Sequence, residues 1–562
     1  MSSGQNRSHI LTVHLEDYFQ VGPLSAAIPQ RHWLRFESRV AQNVETTLDL
    51  LDRYNQKATF FTVGWIADKM PDVVREVARR GHEVASKGYF HRSLEQMSRS
   101  EFEADALQSR IAIERATGEE VLGYRIARGW FAEKDMWALE ALERAGYRYD
   151  SSLRRLGFSL KSGKQPPAGA DRRQARNIVE LPLASWRFAG FDLPISGGNY
   201  LRQLPAEFVR QRFAESAARS SDPLVFYFHV WELDPAQPRI SGLPMMKRIR
   251  QYRNLETMGE RVESYLANYK FDTAANYLRL DATPVTHAPA VQADAAMPVS
   301  AHAAADADQL LPVTVIVPCY NEEQSISYLG RSLDHFAAQT ADKYKLSFVF
   351  VDDGSKDKTL EGLQRQFGGR SNCQIVQHPQ NRGIAAACLT GFAAARDEVL
   401  CVIDADCTFD PSHLATMIPL LKDDVALVTA SPYHRDGGVM NVPAWRLLLS
   451  RGASQLYRYV LSNKLASYTA CFRIYRRSAV VNMRLQHSGF TGIAEILVRL
   501  DRAGAKIVEC PAVLEARVLG ISKMKVGRTI TEHAGLLSRL AVLRALPAGS
   551  VKADTADIGK AR

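Results

Sequence analysis

Two aspartates that directly follow an apolar run are the residues of this sequence best suited to chemistry. Asp404 and Asp406 come after residues 399–403, whose length and β-branched content predict a buried strand. Residues two apart at the end of a strand point the same way, so both carboxylates are expected on one side. Two such oxygen ligands suit Mg²⁺ or Mn²⁺. A solvated loop or a helix N-cap is the alternative, because Asp410 and Pro411 are typical of a helix start.

The same pattern recurs at other predicted strands of the second half. Acidic residues follow three of its apolar runs, as Glu322 with Glu323, Asp352 with Asp353, and Asp404 with Asp406. Strands that alternate with helices favour a parallel, nucleotide-binding half-sheet, in which ligands bind at the carboxyl ends of the strands. The repetition is harder to attribute to chance than any single pair.

Ionisable residues also mark the strand ends of the first half. His14 and Glu16 end the first predicted strand, Lys87 and His91 follow the third, and His229 ends a late one. Strands and helices alternate here as well, which predicts an α/β fold with a largely parallel sheet or barrel.

The composition limits the classes of protein to consider. The chain has 562 residues, 46% of them hydrophobic and 23% charged, which predicts several globular domains. The net charge of +10 permits weak attraction to anionic membranes or phosphorylated substrates, but it does not favour nucleic acid. No apolar run is long enough for a transmembrane helix, and the polar N-terminus predicts no signal peptide. The cysteines match no zinc or disulfide spacing, so a cytoplasmic location is expected, with peripheral membrane contact as an option.

A stretch rich in alanine, proline and aspartate divides the sequence. Residues 282–311 have too little apolar patterning to bury a core and are predicted to be a linker. The expected domains are therefore 1–281 and 312–548, followed by a tail at 549–562.

Residues 312–530 resemble a family 2 glycosyltransferase of the dolichyl-phosphate mannose synthase-like branch. The motifs that carry the resemblance are Val317-Pro-Cys-Tyr-Asn-Glu-Glu323, Val351-Asp-Asp-Gly-Ser-Lys-Asp357, Asn381-Arg-Gly383, Asp404-Ala-Asp406, Tyr468-Thr-Ala-Cys-Phe-Arg473 and Gly520-Ile-Ser-Lys-Met524. The resemblance implies a GT-A, Rossmann-like fold, a nucleotide-sugar donor and a polyprenyl-phosphate or glycan acceptor. It also implies that Glu322, Asp352 and Asp353 line the nucleoside pocket, and that Asp404 and Asp406 hold Mg²⁺ or Mn²⁺.

The resemblance assigns further roles less narrowly. A leaving nucleoside diphosphate needs positive charge nearby, and Arg473 is preferred for this role over the other cations of these motifs, which are Arg476, Arg477 and Lys523. Glu495 stands where the family has an acidic residue. It could act as a general base, as a metal partner or merely as a helix-face carboxylate. An acceptor that is already a phosphate needs no base. Ser467 replaces an aspartate common in the family, which leaves the acceptor geometry open.

Residues 9–281 resemble the NodB-type polysaccharide deacetylases, most closely the branch found in exosortase-associated exopolysaccharide clusters. The motifs include Thr12-Val-His-Leu-Glu-Asp17, Gly81-His-Glu-Val-Ala-Ser-Lys87-Gly-Tyr-Phe-His91, Gly123-Tyr-Arg125 and Phe226-Tyr-Phe-His229. The resemblance implies a distorted (β/α) barrel. It also implies an aspartate base, an acidic metal ligand, two histidine ligands and a late histidine as general acid. These roles fall on His14, Glu16, Lys87, His91 and His229.

Two of these positions depart from the family. His14 replaces the base aspartate, and Lys87 replaces the first metal histidine. A lysine at neutral pH offers no lone pair to a metal, so zinc or another divalent metal is doubtful in this half. If residues 88–90 form a helical turn, Lys87 lies on the side of the former site. Because an unpaired buried charge is costly, Lys87 is expected to pair with Glu16 or Asp17.

Three functions remain at this point. The favoured one is a glycosyltransferase of polysaccharide or glycolipid synthesis fused to an inactive, degenerate deacetylase-like domain. The alternative is a bifunctional glycosyltransferase and active polysaccharide N-deacetylase. The third, a pair of carbohydrate-binding modules, is disfavoured by the carboxylates at 322–406.

Two stretches have the basic, amphipathic pattern of helices at a membrane surface. Residues 445–461 carry apolar residues at helical spacing beside Arg446, Arg451 and Arg458, and residues 530–546 are similar. Most such stripes pack on a core. A core position is favoured for the first stretch, and the two interpretations are nearly balanced for the second.

Overall fold

The computed structural model describes residues 7–22, 24, 28–152, 178–183, 185–188, 191–195, 197–220, 222–285, 310–520 and 526–545. The chain divides into two compact units. The first comprises Met1–Trp33, Ser38–Gln237 and Leu243–Ala293, and the second comprises Leu34–Glu37, Pro238–Gly242 and Asp294–Arg562. Backbone hydrogen bonds still join Thr283 to Glu120 and Val285 to Gly118. The rest of the predicted linker, 286–309, lies outside the described residues, and the domain limits stay a prediction.

The first unit is built on a parallel β-sheet, as its alternating strands and helices predict. Its strands are β1 (Ser8–Leu15), β2 (Thr59–Thr62), β3 (Glu83–Ser86), β4 (Gly123–Tyr124), β5 (Tyr149–Asp150), β6 (Val179–Glu180), β7 (Ser185–Phe188), β8 (Phe191–Pro194), β9 (Val225–His229) and β10 (Lys270–Asp272). Its helices are α1 (Val40–Arg53), α2 (Gly64–Lys69), α3 (Pro71–Arg79), α4 (Arg99–Thr117), α5 (Trp137–Arg144), α6 (Asn199–Gln203), α7 (Ala206–Arg219), α8 (Met245–Tyr252), α9 (Met258–Asn268) and α10 (Ala274–Leu278).

The strand order of this sheet brings the predicted ionisable residues together. The order is β10-β1-β2-β3-β4-β5-β6, β9 also pairs with β1, and no pairing among the described strands closes the ring. The run of apolar residues in β1 is buried along nearly its whole length, as expected for a parallel strand covered on both faces. The parallel register of β1 with β9 places His14 directly beside His229.

The segment after β3 is not the helical turn that the spacing of Lys87 and His91 predicts. Gly88 and His91 have φ values of 72° and 54°, so the chain bends through the left-handed region instead. The backbone N–H groups of Tyr89 and Phe90 donate to the carboxylate of Asp105 at 2.8 and 3.3 Å. This side chain satisfies the amides that a helical turn would otherwise bond.

The second unit is also an α/β unit, which confirms the predicted fold class. Its strands are β11 (Leu311–Cys319), β12 (Tyr344–Asp352), β13 (Cys373–Gln377), β14 (Val399–Val402), β15 (Val425–Ser431), β16 (Gly438–Met440), β17 (Arg473–Arg476), β18 (Lys506–Pro511) and β19 (Val513–Glu515). Its helices are α11 (Ile326–Gln339), α12 (Thr359–Phe367), α13 (Ile384–Ala394), α14 (Leu414–Met417), α15 (Ala444–Val460), α16 (Arg477–Val480), α17 (Phe490–Arg502) and α18 (Val526–Ala545).

The main sheet of the second unit gathers its acidic strand ends at one edge. The strand order is β13-β12-β11-β14-β17-β15-β18, and the pairs among β11, β12, β13 and β14 are parallel. The register aligns Cys319 with Asp352 and Ile316 with Val402. The residues that follow these strands therefore meet at the carboxyl edge, where ligands of such sheets bind.

The two amphipathic stretches of this unit differ in what they bury. On α15 the residues below the surface are Ser454 and Tyr457, whereas Leu448 and Leu456 of the apolar stripe are exposed. The core position favoured from the sequence is therefore wrong for this stripe, because the helix packs through its more polar face. On α18, Leu536 and Leu540 are buried. Within the described ranges, no helix combines the length and apolar character needed to cross a bilayer.

Candidate active site

The loops at the carboxyl edge of the second unit are tied together by their own side chains. Asn321 has a φ of 53°, and its backbone N–H donates to Ser355 Oγ at 2.9 Å. Its side-chain oxygen accepts from the backbone N–H of Lys356 at 2.7 Å. The backbone N–H of Glu322 donates to Thr359 Oγ1 at 2.7 Å, which ties the loop after β11 to the start of α12.

The adjacent aspartates after β12 have opposite surroundings. Asp353 is saturated with donors, which are His378 Nδ1 at 2.7 Å, Asn381 Nδ2 at 3.1 Å and the backbone N–H groups of Arg382 and Gly383, both at 2.8 Å. Asp352 is fully buried, and neither of its carboxylate oxygens has a hydrogen-bond partner among the described residues. Asp353 therefore organises a loop, whereas Asp352 keeps its capacity to accept hydrogen bonds.

The acidic residues after β11 and β14 share one arginine. Arg517 Nε donates to Asp406 Oδ2 at 2.7 Å, and Arg517 Nη2 donates to Glu322 Oε1 at 2.9 Å. Burial and the negative charge of Asp406 raise the pKa of Asp404 to about 7. Burial also raises the pKa of Glu322, although Arg517 opposes this shift. Carboxylates crowded in this way offer the oxygen ligands that Mg²⁺ or Mn²⁺ prefers.

Two residues predicted to be catalytic have structural roles here. Arg473 is fully buried, and its guanidinium donates to the backbone carbonyls of Ile493 at 2.5 Å and Tyr468 at 2.6 Å. These two nitrogens are used within the protein, whereas Nε has no partner among the described residues, and the predicted contact with a diphosphate stays a prediction. Glu495 accepts from the backbone N–H groups of Gln486 and His487, each at 2.9 Å, which supports the structural alternative.

Two other cations predicted in this half also donate to backbone carbonyls. Arg476 Nη2 donates to the carbonyl of Lys422 at 2.7 Å, and Arg477 Nε donates to the carbonyl of Ala395 at 2.8 Å. Lys523 lies outside the described residues. At the position that departs from the family, the backbone N–H of Ser467 donates to Glu509 Oε1 at 2.8 Å.

In the first unit, one carboxylate is surrounded by donors. Glu16 is buried, and its Oε2 contacts Lys87 Nζ and lies 2.7 Å from His91 Nε2. Its Oε1 lies 2.6 Å from His229 Nδ1 and accepts from Trp231 Nε1 at 3.3 Å. Burial alone raises the pKa of Glu16, but the charges of Lys87, His91 and His229 together hold it well below its usual value. The expected pairing of Lys87 is thus with Glu16.

The donor set of this site suits a metal, but Lys87 lies against it. Ligand atoms of His14, Glu16 and His229 lie within 4.8 Å of one another. However, Lys87 Nζ contacts Glu16 and lies 2.9 Å from His14 Nδ1, so two of the three ligands already face an amine. A metal ion does not fit while Lys87 holds this position. Asp17 is not recruited, because it accepts from Ser38 Oγ at 2.6 Å and caps the following chain.

Aromatic rings line the same region. Arg125 is buried between the rings of Phe61, Trp130 and Tyr227, with its guanidinium carbon 5.9, 5.8 and 5.1 Å from their centres. Burial lowers the pKa of Arg125 to about 10. Burial also lowers the pKa of His14 well below its ordinary value, and Lys87 adds to this shift. The histidine is therefore neutral beside the lysine.

Two residues of these sites were not among the sequence candidates. Arg517 lies just after β19, and its acidic partners are more than a hundred positions away in the sequence. Trp231 lies two residues after His229 and donates to Glu16. A basic residue next to the glycine-containing motif at 520–524 was the available indication for Arg517.

Family models match both halves. Residues 314–483 match "Glycosyl transferase family 2", residues 27–149 match "Polysaccharide deacetylase", and residues 159–279 match a domain of unknown function, DUF3473. The protein thus combines a polysaccharide deacetylase region with a sugar-transferase region. Specifically, it carries an N-terminal polysaccharide deacetylase-like domain and a C-terminal family 2 glycosyltransferase domain, as the resemblances predicted.

Individual relatives match the second half. The dolichol-phosphate mannosyltransferase of Pyrococcus furiosus is 30% identical over 232 residues, which cover 41% of this chain and 64% of the relative. The polyprenol monophosphomannose synthase of Mycolicibacterium smegmatis is 28% identical over 225 residues, which cover 39% of this chain and 82% of the relative. A solved glucosyl-3-phosphoglycerate synthase from Mycobacterium tuberculosis, in complex with Mn²⁺, UDP and glucosyl-3-phosphoglycerate, is 17% identical. It covers 42% of this chain and 82% of its own, with a TM-score of 0.32.

Proposed function

We propose that the second unit transfers a sugar from a nucleotide sugar to an acceptor in polysaccharide or glycolipid synthesis. The observation that carries the proposal is the carboxylate of Asp352, which is fully buried at the ligand-binding edge without a hydrogen-bond partner among the described residues. A buried, unsatisfied carboxylate is costly. A nucleoside offers the hydroxyl and N–H donors that would satisfy it. Glu322 and Asp353 support this pocket from the neighbouring loops.

Asp404 and Asp406 are the residues that would hold Mg²⁺ or Mn²⁺. When bound, such an ion neutralises charge on a leaving nucleoside diphosphate. Arg517 contributes positive charge from the protein and positions the carboxylates of Asp406 and Glu322. Together these groups would orient the donor and stabilise negative charge as the sugar leaves.

The favoured acceptor is a polyprenyl phosphate. The names of the two relatives point to phosphate-bearing lipids. A phosphate is ionised near neutral pH and needs no general base. This agrees with Glu495, whose carboxylate is occupied by backbone and side-chain donors. Such an acceptor resides in a membrane, so we place the protein at the cytoplasmic face in peripheral contact with the lipid.

We infer that the first unit is a degenerate deacetylase domain. The support is Lys87, whose ammonium lies between Glu16 and His14, where a metal ion would need two of its ligands. The alternative is a bifunctional enzyme, favoured by the short distances among His14, Glu16 and His229. Stoichiometric zinc in the full chain, with acetate release from chito-oligosaccharides, would establish the alternative. Absence of both supports the degenerate domain.

The transferase proposal is tested by turnover on a panel of nucleotide sugars with Mg²⁺ or Mn²⁺ and a polyprenyl phosphate. Removal of the metal with a chelator should stop the reaction. The double variant Asp404→Ala, Asp406→Ala should be inactive yet folded. Asp424→Ala is a matched control, because Asp424 is an exposed residue paired with Lys506. Full activity in the double variant would refute the assigned role of these aspartates.

A further inference from the structure

Helix α15 turns an apolar face to the surface of the second unit. Four of its large residues are well exposed, with exposed fractions of 49% for Trp445, 74% for Leu448, 58% for Leu456 and 79% for Tyr459. Trp445 and Leu448 are three residues apart, as are Leu456 and Tyr459, and eight residues separate the two pairs. This spacing places all four within roughly a third of the helix circumference. Single exposed apolar residues are ordinary on protein surfaces, but four large ones on the same side of one helix indicate a contact surface.

The charges of the helix identify the kind of partner. Helix α15 contains Arg446, Arg451 and Arg458 and no aspartate or glutamate. Helical geometry puts Arg446 on one side of the apolar stripe and the other two arginines on the opposite side. An apolar stripe with arginines on both sides matches a lipid surface in which anionic headgroups surround the hydrocarbon. An acidic protein surface would offer the charge without that depth of apolar material.

The inner face of α15 contacts the segment that precedes β17. Ser450 Oγ lies 3.0 Å from Thr469 Oγ1, and the backbone N–H of Tyr468 donates to Ser454 Oγ at 3.4 Å. The rings of Tyr457 and Tyr468 stack with their centres 5.8 Å apart. The segment held in this way leads through Cys471 towards β17, which pairs with β14 beside the carboxylates. A membrane that contacts α15 would thus lie close to the transferase site.

Helix α18 packs against α15 on the side of the core. Leu536 and Leu540 of α18 are buried in the same hydrophobic core as Tyr457. His533 Nδ1 of α18 lies 2.7 Å from the hydroxyl of Tyr457. The inner side of α15 is therefore packed against α18 and the core, and its outer face stays at the surface.

We propose that the outer face of α15, formed by Trp445, Leu448, Leu456 and Tyr459, docks on an anionic lipid bilayer. The apolar side chains enter the headgroup boundary, and the flanking arginines pair with lipid phosphates. This inference rests on the proposed function, since docking would bring the protein to the membrane that contains a lipid-phosphate acceptor. Docking itself requires neither donor nor turnover, so it can be measured even if the transferase proposal fails.

The test is co-sedimentation of the full chain with vesicles of phosphatidylcholine, with and without phosphatidylglycerol. We expect binding to the anionic vesicles that weakens as salt is added, because surface charges are screened. The variant Leu448→Ser, Leu456→Ser should bind on the order of tenfold more weakly, since it removes two exposed apolar groups. The variant Arg451→Gln, Arg458→Gln should lose affinity for anionic vesicles by a similar factor.

A matched control is Leu107→Ser, Ile111→Ser on α4. These two side chains are 47% and 37% exposed, so the variant replaces exposed apolar residues by serine on a helix other than α15. It should bind like the wild type, and all variants should share the wild-type unfolding temperature. Wild-type affinity in both α15 variants would overturn the proposal. A wild-type chain that does not co-sediment with anionic vesicles would also overturn it. If the leucine variant instead converts a dimer to a monomer on size-exclusion chromatography, the face binds a second copy and the proposal is wrong.

Discussion

The two units place acidic residues at the same structural position and treat them in opposite ways. In the first unit, Glu16 at the end of β1 has Lys87, His91, His229 and Trp231 around its two oxygens. In the second unit, Asp352 at the end of β12 is equally buried and has no hydrogen-bond partner among the described residues. The protein therefore satisfies the carboxylate of Glu16 with its own donors, whereas it offers none to the carboxylate of Asp352 among the described residues.

The difference shows how the edge of a sheet can keep its architecture while its acceptor groups are no longer available to a ligand. Parallel strands bring ionisable residues to one edge in either case. Whether that edge binds anything depends on whether the protein's own donors already satisfy the acceptors. In the first unit a single lysine supplies the charge that an ion would otherwise bring. Each of the following predictions alters one side of this contrast.

The largest change is expected from restoring a metal ligand. Lys87→His should convert a chain without bound zinc into one that binds one zinc ion, because the ammonium is replaced by an imidazole beside Glu16, His91 and His229. Metal analysis after dialysis against zinc measures this. Lys69→His, at a partly exposed position of α2, is the control for a histidine added elsewhere.

Deacetylation should return only with a second change. Lys87→His combined with His14→Asp should release acetate from chito-oligosaccharides, since the double variant regains both the ligand and the expected base. Stoichiometric zinc in the wild type would contradict the claim that Lys87 excludes a metal ion from the first unit.

Neutralising the satisfied carboxylate should strongly destabilise the first unit. Glu16→Gln leaves Lys87 buried without a compensating charge, and breaking a buried pair of this kind costs about 3–5 kcal/mol. Denaturant unfolding of the full chain, followed by a probe in the first unit, measures the loss. A variant as stable as the wild type would mean that Lys87 is uncharged in the folded protein.

The equivalent change in the second unit should have the reverse effect on stability. Asp352→Asn removes a buried charge that has no partner among the described residues, so stability should hold or rise. Nucleotide affinity should fall on the order of 100-fold, or about 2.7 kcal/mol, when hydrogen bonds to a charged acceptor are lost. Calorimetric titration with nucleoside diphosphates and a thermal melt separate the two effects. Unchanged affinity would remove Asp352 from the nucleoside pocket.

The smallest expected effect concerns acid stability of the first unit. His82 Nδ1 accepts from the backbone N–H of Ala58 at 3.3 Å, and burial lowers the pKa of His82 from 6.5 to about 4. The unfolded chain therefore binds more protons between these values, and the contribution of His82 to stability is lost as the pH falls from 6.5 towards 4. His82→Asn keeps an acceptor that does not titrate there. The acid-induced loss should shrink by no more than about 3 kcal/mol in pH-dependent unfolding. An identical pH profile would contradict it.

The strand ends were predictable because local patterns determine them. Apolar runs identify β11, β12 and β14, and the geometry of parallel sheets then brings Glu322, Asp352 and the aspartates after β14 to one edge. The same argument located Glu16 and His229 in the first unit. The pairing of Lys87 with Glu16 also followed from the cost of an unpaired buried charge.

The roles of individual charged residues were not predictable, because their partners are remote in the sequence. Arg473 is occupied by carbonyls at positions 468 and 493, and Arg517 pairs with acids at 322 and 406. The sequence around Arg473 does not distinguish a structural guanidinium from one that faces a ligand, and for Arg517 the motif at 520–524 indicates a site nearby but not which acids it pairs with. Similarly, the stripe of α15 has the pattern of a core-facing helix, and only tertiary packing shows that its other face is buried.

The hydrogen bonds that Asp353 accepts have a consequence for how the proposed pocket selects a nucleotide sugar. Its carboxylate holds the backbone of Arg382 and Gly383, and Gly383 has a φ of 101° at the start of α13. A side chain at Gly383 would bring a Cβ to within 2.4 Å of the carbonyl oxygen of Ser488. This part of the proposed nucleoside pocket is consequently held by hydrogen bonds and close packing in the absence of a sugar nucleotide. Little conformational entropy remains to be lost on binding, so association resembles insertion into a preorganised slot and discrimination rests on shape.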